Sequence, residues 1–436
     1  LKMKQLTRLF IPICLETLFY MLSGMVDTLM LSAVGDYAVG AVGTANSYIG
    51  IFIIMFSIIS SGMVSVMTQN IGAGRPGVAY QARQLGLLFN AVAGVLMAVF
   101  LFSGAGAILR MVGIADALYE PALIYLKIVG GGCILNAVIP IFSSYLRAFG
   151  YTKQPLYATI VGNIANFVMN AVFLFVLHKG VAGVATATVI SKILNLCIVL
   201  YFSHKLISAK NSTERIANKT VLGQIVKVGL PSACETALYN VAMMLVIRFL
   251  NQMDAEGLNV TARSYAATIS NFSYCVGAAL AQANAIMTGW HIGAGELEEC
   301  DRGTKRAAFV GVCVAVCMET AIVLGSGFIM PLFTDNPEMT ALVRKLLAID
   351  IVLEIGRVTN LVFGQALKTS GDAVFPAVIA AVFMFVFAVG GTWLFGISMG
   401  LMAVGAYIGL ASDECVRAVG MVWRWKTGKW RTKKLV

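Results

Sequence analysis

Four residues in the first apolar run, Glu16, Tyr20, Ser23 and Asp27, have the types and spacing to handle a cation or a proton. At about 100° per residue they fall within about 60° of one another on a helix, with the two carboxylates roughly 16 Å apart along its axis. A charge at the centre of a bilayer costs at least about 2.5 kcal/mol, so this stripe is expected to face protein or a wet cavity rather than lipid. Asp27, inside "VDT", is the leading candidate. Burial penalises a carboxylate's charge, whereas water or a cation favours it, so such a group can hold a proton in one state and release it in another. The plainer alternative is a solvated acid at a helix end near the outer interface.

Further candidates lie along the chain. Asn163, Asn166 and Asn170 share one face of a fifth apolar run. Their plain role is interhelical hydrogen bonding, at well under 2 kcal/mol each. Glu16 and Glu235 each lie one turn after a proline; they either draw cations to an inner mouth or satisfy helix N-terminal amides. Asp350 and Glu354 are one turn apart, with Arg357 following at i+3. They form a substrate-facing acidic pair or an internally neutralised ion pair, with Glu354 the natural partner of Arg357. Asp413 and Glu414 sit in the last span, and Lys192 holds the repeat-related place in the sixth. The 21 Met and 24 Phe suit a promiscuous apolar cavity, but ordinary membrane filler is the reading to prefer for any one of them.

The elements that position these residues are apolar runs. The chain of 436 residues is 59% hydrophobic and 12% charged, with a mean hydropathy of +0.84. A soluble protein carries about a quarter charged residues. About a dozen apolar runs of roughly 20 to 30 residues recur between residues 8 and 423, each long enough to span a bilayer. The fold class is therefore all-α, a polytopic membrane protein. The first run spans rather than serving as a cleavable signal peptide.

The net charge of +11 sits at the ends of these runs and in the tail "WRWKTGKWRTKKLV". That is a positive-inside pattern, not a nucleic-acid surface, and it places both termini in the cytoplasm. Lys2, Lys4, Arg8, Arg75, Arg83, Arg147, Lys153, Lys205, Lys210, Arg215, Lys219, Arg302, Lys305 and Arg306 fall inside, and Arg110, Lys179 and Arg263 in outside loops. Nine cysteines without a CxxC pair and three scattered histidines give no disulfide framework or metal site.

The chain repeats. "IPICLETLFY" at Ile11 returns as "LPSACETALY" at Leu230, "NIGAG" at Asn70 as "HIGAG" at His291, "LRAFGYTKQP" at Leu146 as "LKTSGDAVFP" at Leu367, and "VAGVATA" at Val181 echoes "MAVGAYI" at Met402. Each half holds six spans, an even number, so the halves form parallel-repeat bundles, expected around a central cavity. The expected domains are a bundle over 1–205, a cytoplasmic linker over 206–221, a second bundle over 222–423 and a basic tail over 424–436. The repeat breaks at Ala242 and Val246, which stand where Ser23 and Asp27 do, so the cation-responsive site belongs to the first half.

With "P…E…VDTLMLS", "QNIGAG", "LRAFGYTKQP", "NIANFVMN" and "GVATATVIS", then "LPSACE", "HIGAG", "LKTSGD" and "VGAYIG", the sequence resembles the multidrug and toxic compound extrusion (MATE) family over essentially its full length. The look is closest to the bacterial DinF-like branch. The resemblance implies a cation-coupled antiporter in the bacterial inner membrane that exports organic cations or amphipathic drugs by alternating access. It implies a monomer with no cofactor, coupled to H+ or Na+. It also implies that Asp27 is the coupling acid, with Asn166, Asn170 and Thr188 beside it. Where some relatives carry a second aspartate this chain has Asn170. The resulting site is lean for sodium, which favours the proton while leaving Na+ at Asp27 open. A lipid-linked saccharide flippase of the same superfamily is the alternative. An enzyme is disfavoured, since no HExxH, GxSxG or histidine cluster is present, and no repeated filter motif marks a channel.

Overall fold

The computed structural model describes residues 2–209 and 212–436; Lys210, placed above among the cytoplasmic basic residues, lies outside them. The described residues are helical almost throughout. In chain order the helices are α1 (Lys2–Ser32), α2 (Asp36–Gly72), α3 (Pro76–Val112), α4 (Asp116–Gly131), α5 (Cys133–Ala148), α6 (Lys153–Ala171) and α7 (Gly180–Leu206). They continue as α8 (Asn218–Met253), α9 (Leu258–Gly293), α10 (Leu297–Leu324), the short α11 (Ser326–Ile329), α12 (Pro337–Ser370), α13 (Val374–Phe383) and α14 (Ala403–Lys426). Two repeat-related spans widen into π-helical turns, Val172–Val176 after α6 and Met384–Val389 and Thr392–Ser398 after α13.

Among the described residues eight helices are long and apolar enough to cross a membrane, and α4 with α5, bent by 42° at Gly132, makes a ninth. The helices α9, α12 and α14 have the length, at 36, 34 and 24 residues, but a more polar composition. They complete twelve crossings. Their polarity has a use, because these are the helices that line the charged interior described below.

The sequence echoes turn out to be helix stops. In "NIGAG" and "HIGAG", Gly74 (φ 76°) and Gly295 (φ 77°) take the left-handed conformation, which only glycine adopts without strain. The amide of Arg75 then donates to Asn70 O, and that of Glu296 to His291 O, each at 2.8 Å. The turns at Gly150 and Gly371 close in the same way, Tyr151 N on Leu146 O and Asp372 N on Leu367 O, each at 2.9 Å. The repeat therefore conserves where the helices end.

The chain divides into two compact units, one of Ile11–Leu230 and the other of Leu1–Phe10 with Pro231–Val436. The first packs Ala41, Ala45, Leu101, Leu126 and Ala185 from α2, α3, α4 and α7 into its core. The second packs Val246, Ala266, Leu346, Leu347 and Ala406 from α8, α9, α12 and α14. Helix bounds correct one expectation. The helix α1 begins at Lys2 and α8 at Asn218, with Pro12 and Pro231 inside them. Glu16 and Glu235 are therefore several turns from the N-terminus of their own helices and cannot cap those amides.

Candidate functional site

In the unit of Ile11–Leu230, Asp27 lies in α1 against α6. The Nδ2 groups of Asn166 and Asn170 both donate to its Oδ1, each at 2.7 Å. Asn170 is fully buried and Asn166 nearly so. No described residue donates to Oδ2, and no arginine or lysine pairs with Asp27 within ion-pair distance among the described residues. With both amide nitrogens turned to the carboxylate, the two amide oxygens point away from it, buried and without partners. Thr188 donates to Val184 O in its own helix, at 3.0 Å. Around this group Tyr125 of α4 donates to Asn46 of α2 at 3.2 Å. The Lys192 ammonium, one turn beyond Thr188 on α7, donates to Asn136 Oδ1 of α5 at 2.7 Å and lies within electrostatic reach of Asp27.

The structure does not assemble the whole α1 stripe into one site. Tyr20 is 75% exposed and Ser23 is half-buried. Glu16 is engaged elsewhere: its two oxygens accept from Nη2 of Arg147 at 2.6 and 2.7 Å, with the Thr159 hydroxyl 3.5 Å away. In the other unit Lys368 pairs with Glu235 at 2.6 Å. Glu16 and Glu235 are repeat-related, and so are Arg147 and Lys368. The first and third sequence echoes thus describe two halves of one ion pair, made once in each repeat.

The unit of Leu1–Phe10 with Pro231–Val436 holds a cavity of about 480 Å³. Of the residues predicted from sequence, Glu235, Tyr239, Asp350 and Arg357 line it, while Glu354 lies behind them, fully buried and paired with Arg357. Arg417 holds Asp413 at 3.1 Å and Glu414 at 3.0 Å, and Asn360 donates to Glu414 Oε2 at 2.8 Å. Two lining or neighbouring residues were not singled out from sequence. Glu319 of α10 is fully buried, both of its oxygens lack a hydrogen bond, and it forms with Asp350 and Glu354 a trio whose oxygens lie within 4.8 Å of one another. Carboxylates so close either share protons or hold a hard cation. Arg263, expected in an outside loop, instead sits in the second turn of α9 with its side chain on the cavity. An acid inside the apolar stretch "CMETAIVLG" was the signal available for Glu319. Arg263 gave none, because a positive charge near a span end reads as a loop.

The MatE family model matches residues 12–172 and 231–394, a match in each repeat. The chain is 32% identical over 428 residues to the Uncharacterized transporter YisQ of Bacillus subtilis, covering 97% of this chain and 94% of that protein. It is 20% identical to the Probable multidrug resistance protein NorM of Thermotoga maritima, covering 99% and 94%. Among solved structures, an outward-facing MATE family transporter of the MOP superfamily superposes with a TM-score of 0.86 at 21% identity, over 98% of this chain and 96% of that one. The Vibrio cholerae MATE transporter VcmN gives 0.88 at 18%, over 99% and 98%. These structures share the twelve-span fold.

Proposed function

Because the chain belongs to the MatE family, whose members are multi-pass membrane transporters and not enzymes, we propose that it is a proton-coupled antiporter that exports organic cations or other amphipathic drugs by alternating access. The multidrug resistance name of the NorM relative supports the substrate class. In this reading the protein works as a monomer in the cytoplasmic membrane with both termini in the cytoplasm, and it needs no cofactor. Asp27 is the coupling acid.

The observation that carries the reading is the asymmetry of the Asp27 carboxylate. Two buried amides fix Oδ1 at 2.7 Å each, while Oδ2 accepts no hydrogen bond from the described residues. Fixed donors support the anion, burial opposes it, and the free oxygen is where a proton goes on and off. Sodium is less well served. A hard cation wants several oxygen ligands, yet Asn166 and Asn170 present their N–H groups to the carboxylate. The Lys192 ammonium, held on Asn136 close by, repels a second cation and already supplies positive charge.

The test is efflux of a fluorescent organic cation from vesicles under separately imposed proton and sodium gradients, for the wild type and Asp27→Asn. The wild type should respond to the proton gradient and Asp27→Asn to neither. Equal transport by both proteins under both gradients would overturn the role of Asp27. Movement of a lipid-linked saccharide that ignores both gradients would favour a flippase.

A further inference from the structure

In the unit of Ile11–Leu230, α3 presents an apolar face that the chain leaves uncovered. Leu88, Val92, Val95 and Val99 lie within about 60° of one another on this helix, at 58%, 53%, 49% and 60% exposure. In a membrane-spanning helix such a face of aliphatic side chains meets acyl chains. One turn before Leu88 the face changes character at Gln84, which is also exposed. Its Nε2 donates to the Tyr80 hydroxyl at 2.8 Å, and its Oε1 accepts from Nη2 of Arg83 at 2.6 Å. A tyrosine and an arginine where an apolar face ends mark the level of the lipid headgroups.

A second arginine reaches the same ring. The Cζ atoms of Arg83 and Arg215 lie 4.8 and 5.4 Å from the centre of Tyr80, and Arg83 also lies 5.3 Å from Phe142 and from Tyr145. The segment carrying Arg215 is docked on the start of α3. Gln81 donates to Ile216 O at 2.6 Å and accepts from Ile216 N at 3.1 Å. Nη1 of Arg215 donates to the carbonyls of Gly77, Ser212 and Glu214, at 3.0, 2.9 and 2.6 Å. Among the described residues no carboxylate, that of the adjacent Glu214 included, lies within ion-pair distance of either guanidinium. Nε of Arg83 is buried without a hydrogen bond. Two permanent like charges thus share one ring with only neutral partners, and an anion would relieve their repulsion.

We propose that Arg83, Tyr80 and Arg215 form a headgroup site for the phosphate of an anionic phospholipid, with an acyl chain lying along Leu88, Val92, Val95 and Val99. A guanidinium suits phosphate because its fork of donors matches two oxygens at once. The net charge of the lipid matters as well as its phosphate, since the ammonium of phosphatidylethanolamine would meet two guanidiniums and no carboxylate. The site is separate from Asp27 and from the cavity of the other unit, and it makes no use of the coupling ion or the substrate.

The experiment is native mass spectrometry of the purified full-length protein in detergent, given equal amounts of phosphatidylglycerol and phosphatidylethanolamine with the same acyl chains. A hydrogen bond to a charged group corresponds to a factor of roughly ten or more in affinity. The wild type should therefore retain phosphatidylglycerol with a preference of roughly tenfold or more, by that same bond. Arg83→Gln and Arg215→Gln should each remove most of that preference, and Arg83→Lys should keep part of it. Lys434→Gln, which removes a charge from the basic tail, should leave it intact. Each preference is a ratio within one protein sample, so a loss of folded protein does not imitate it. Inorganic phosphate, which has the anion and no acyl chain, should not displace the lipid. Equal retention of the two lipids by the wild type overturns the assignment, as does full preference in both Arg83→Gln and Arg215→Gln, or an equal loss in Lys434→Gln. Displacement by inorganic phosphate would make this a site for free phosphate and overturn the lipid.

Discussion

Replacing Arg147 by methionine removes one partner of the ion pair that occurs in both repeats. The pair is well made: Nη2 reaches the Glu16 oxygens at 2.6 and 2.7 Å. Its side chains are 23% and 16% exposed. Breaking a fully buried pair costs about 3–5 kcal/mol, and an exposed pair is worth about 0–1 kcal/mol. This pair lies between those limits, so Arg147→Met should destabilise by about 2 kcal/mol, because Glu16 loses its partner and Thr159, at 3.5 Å, is too far to compensate. Glu16→Gln should cost less, since the longer arginine can turn to solvent. The double variant should be more stable than the sum of the single losses, with a coupling of about 1–2 kcal/mol. The assay is a double-mutant cycle of apparent melting temperatures in detergent, repeated with Glu235→Gln and Lys368→Met. An Arg147→Met protein that melts with the wild type, or single losses that simply add, would refute the idea that the repeated motifs meet as a structural pair.

Where α2 crosses the start of α8, Gly62 and Gly229 let two backbones touch: an added Cβ would lie 1.9 Å from Ile225 O or 1.7 Å from Ile58 O. Either alanine substitution should cost about 1–3 kcal/mol or more through forced separation of the helices, while Gly43→Ala, with nothing within 4 Å, should melt unchanged. Lys192→Met should give the Asp27 site a sodium response that the wild type lacks, seen as efflux driven by an imposed sodium gradient; continued indifference to sodium would contradict the role given to the ammonium. In the loop after α8, burial works to raise the Asp254 carboxyl, but bonds from the Leu258 amide at 2.7 Å and from Asn259 outweigh it and hold the group below its ordinary 3.8. Its folded value is depressed, so its stabilisation is present above the ordinary value and disappears as pH falls through the lowered one. Asp254→Asn should therefore melt earlier at neutral pH, by about 1 kcal/mol, and match the wild type in strong acid.

Much of this was legible in the sequence because membrane helices announce themselves. Apolar runs set the spans, and a single polar face on α6 led to Asn166 and Asn170, both of which meet Asp27. Helical period tells which face a residue occupies, but not which helix lies opposite. That is why the echoes around Glu16 and around Arg147 could each be read without their pairing being seen. It is also why Tyr20, in phase with Asp27, proved exposed. The helices α9, α12 and α14 illustrate a second limit. Their charges lower hydropathy and blur the spans, yet those charges, with Arg263 among them, make the cavity. Glu319 went unnoticed because one acid in an apolar run has meaning only once Asp350 and Glu354 are placed beside it.

The central claim is that a proton on Asp27 is exchanged for substrate. Proteoliposomes holding a trapped pH-sensitive dye test it most directly. Addition of an organic cation to wild-type vesicles should move protons in the opposite direction to the cation, without added sodium. Asp27→Asn should still bind the cation and move no protons. Proton movement of wild-type size through Asp27→Asn, or cation transport by the wild type with no proton movement at all, would contradict the account.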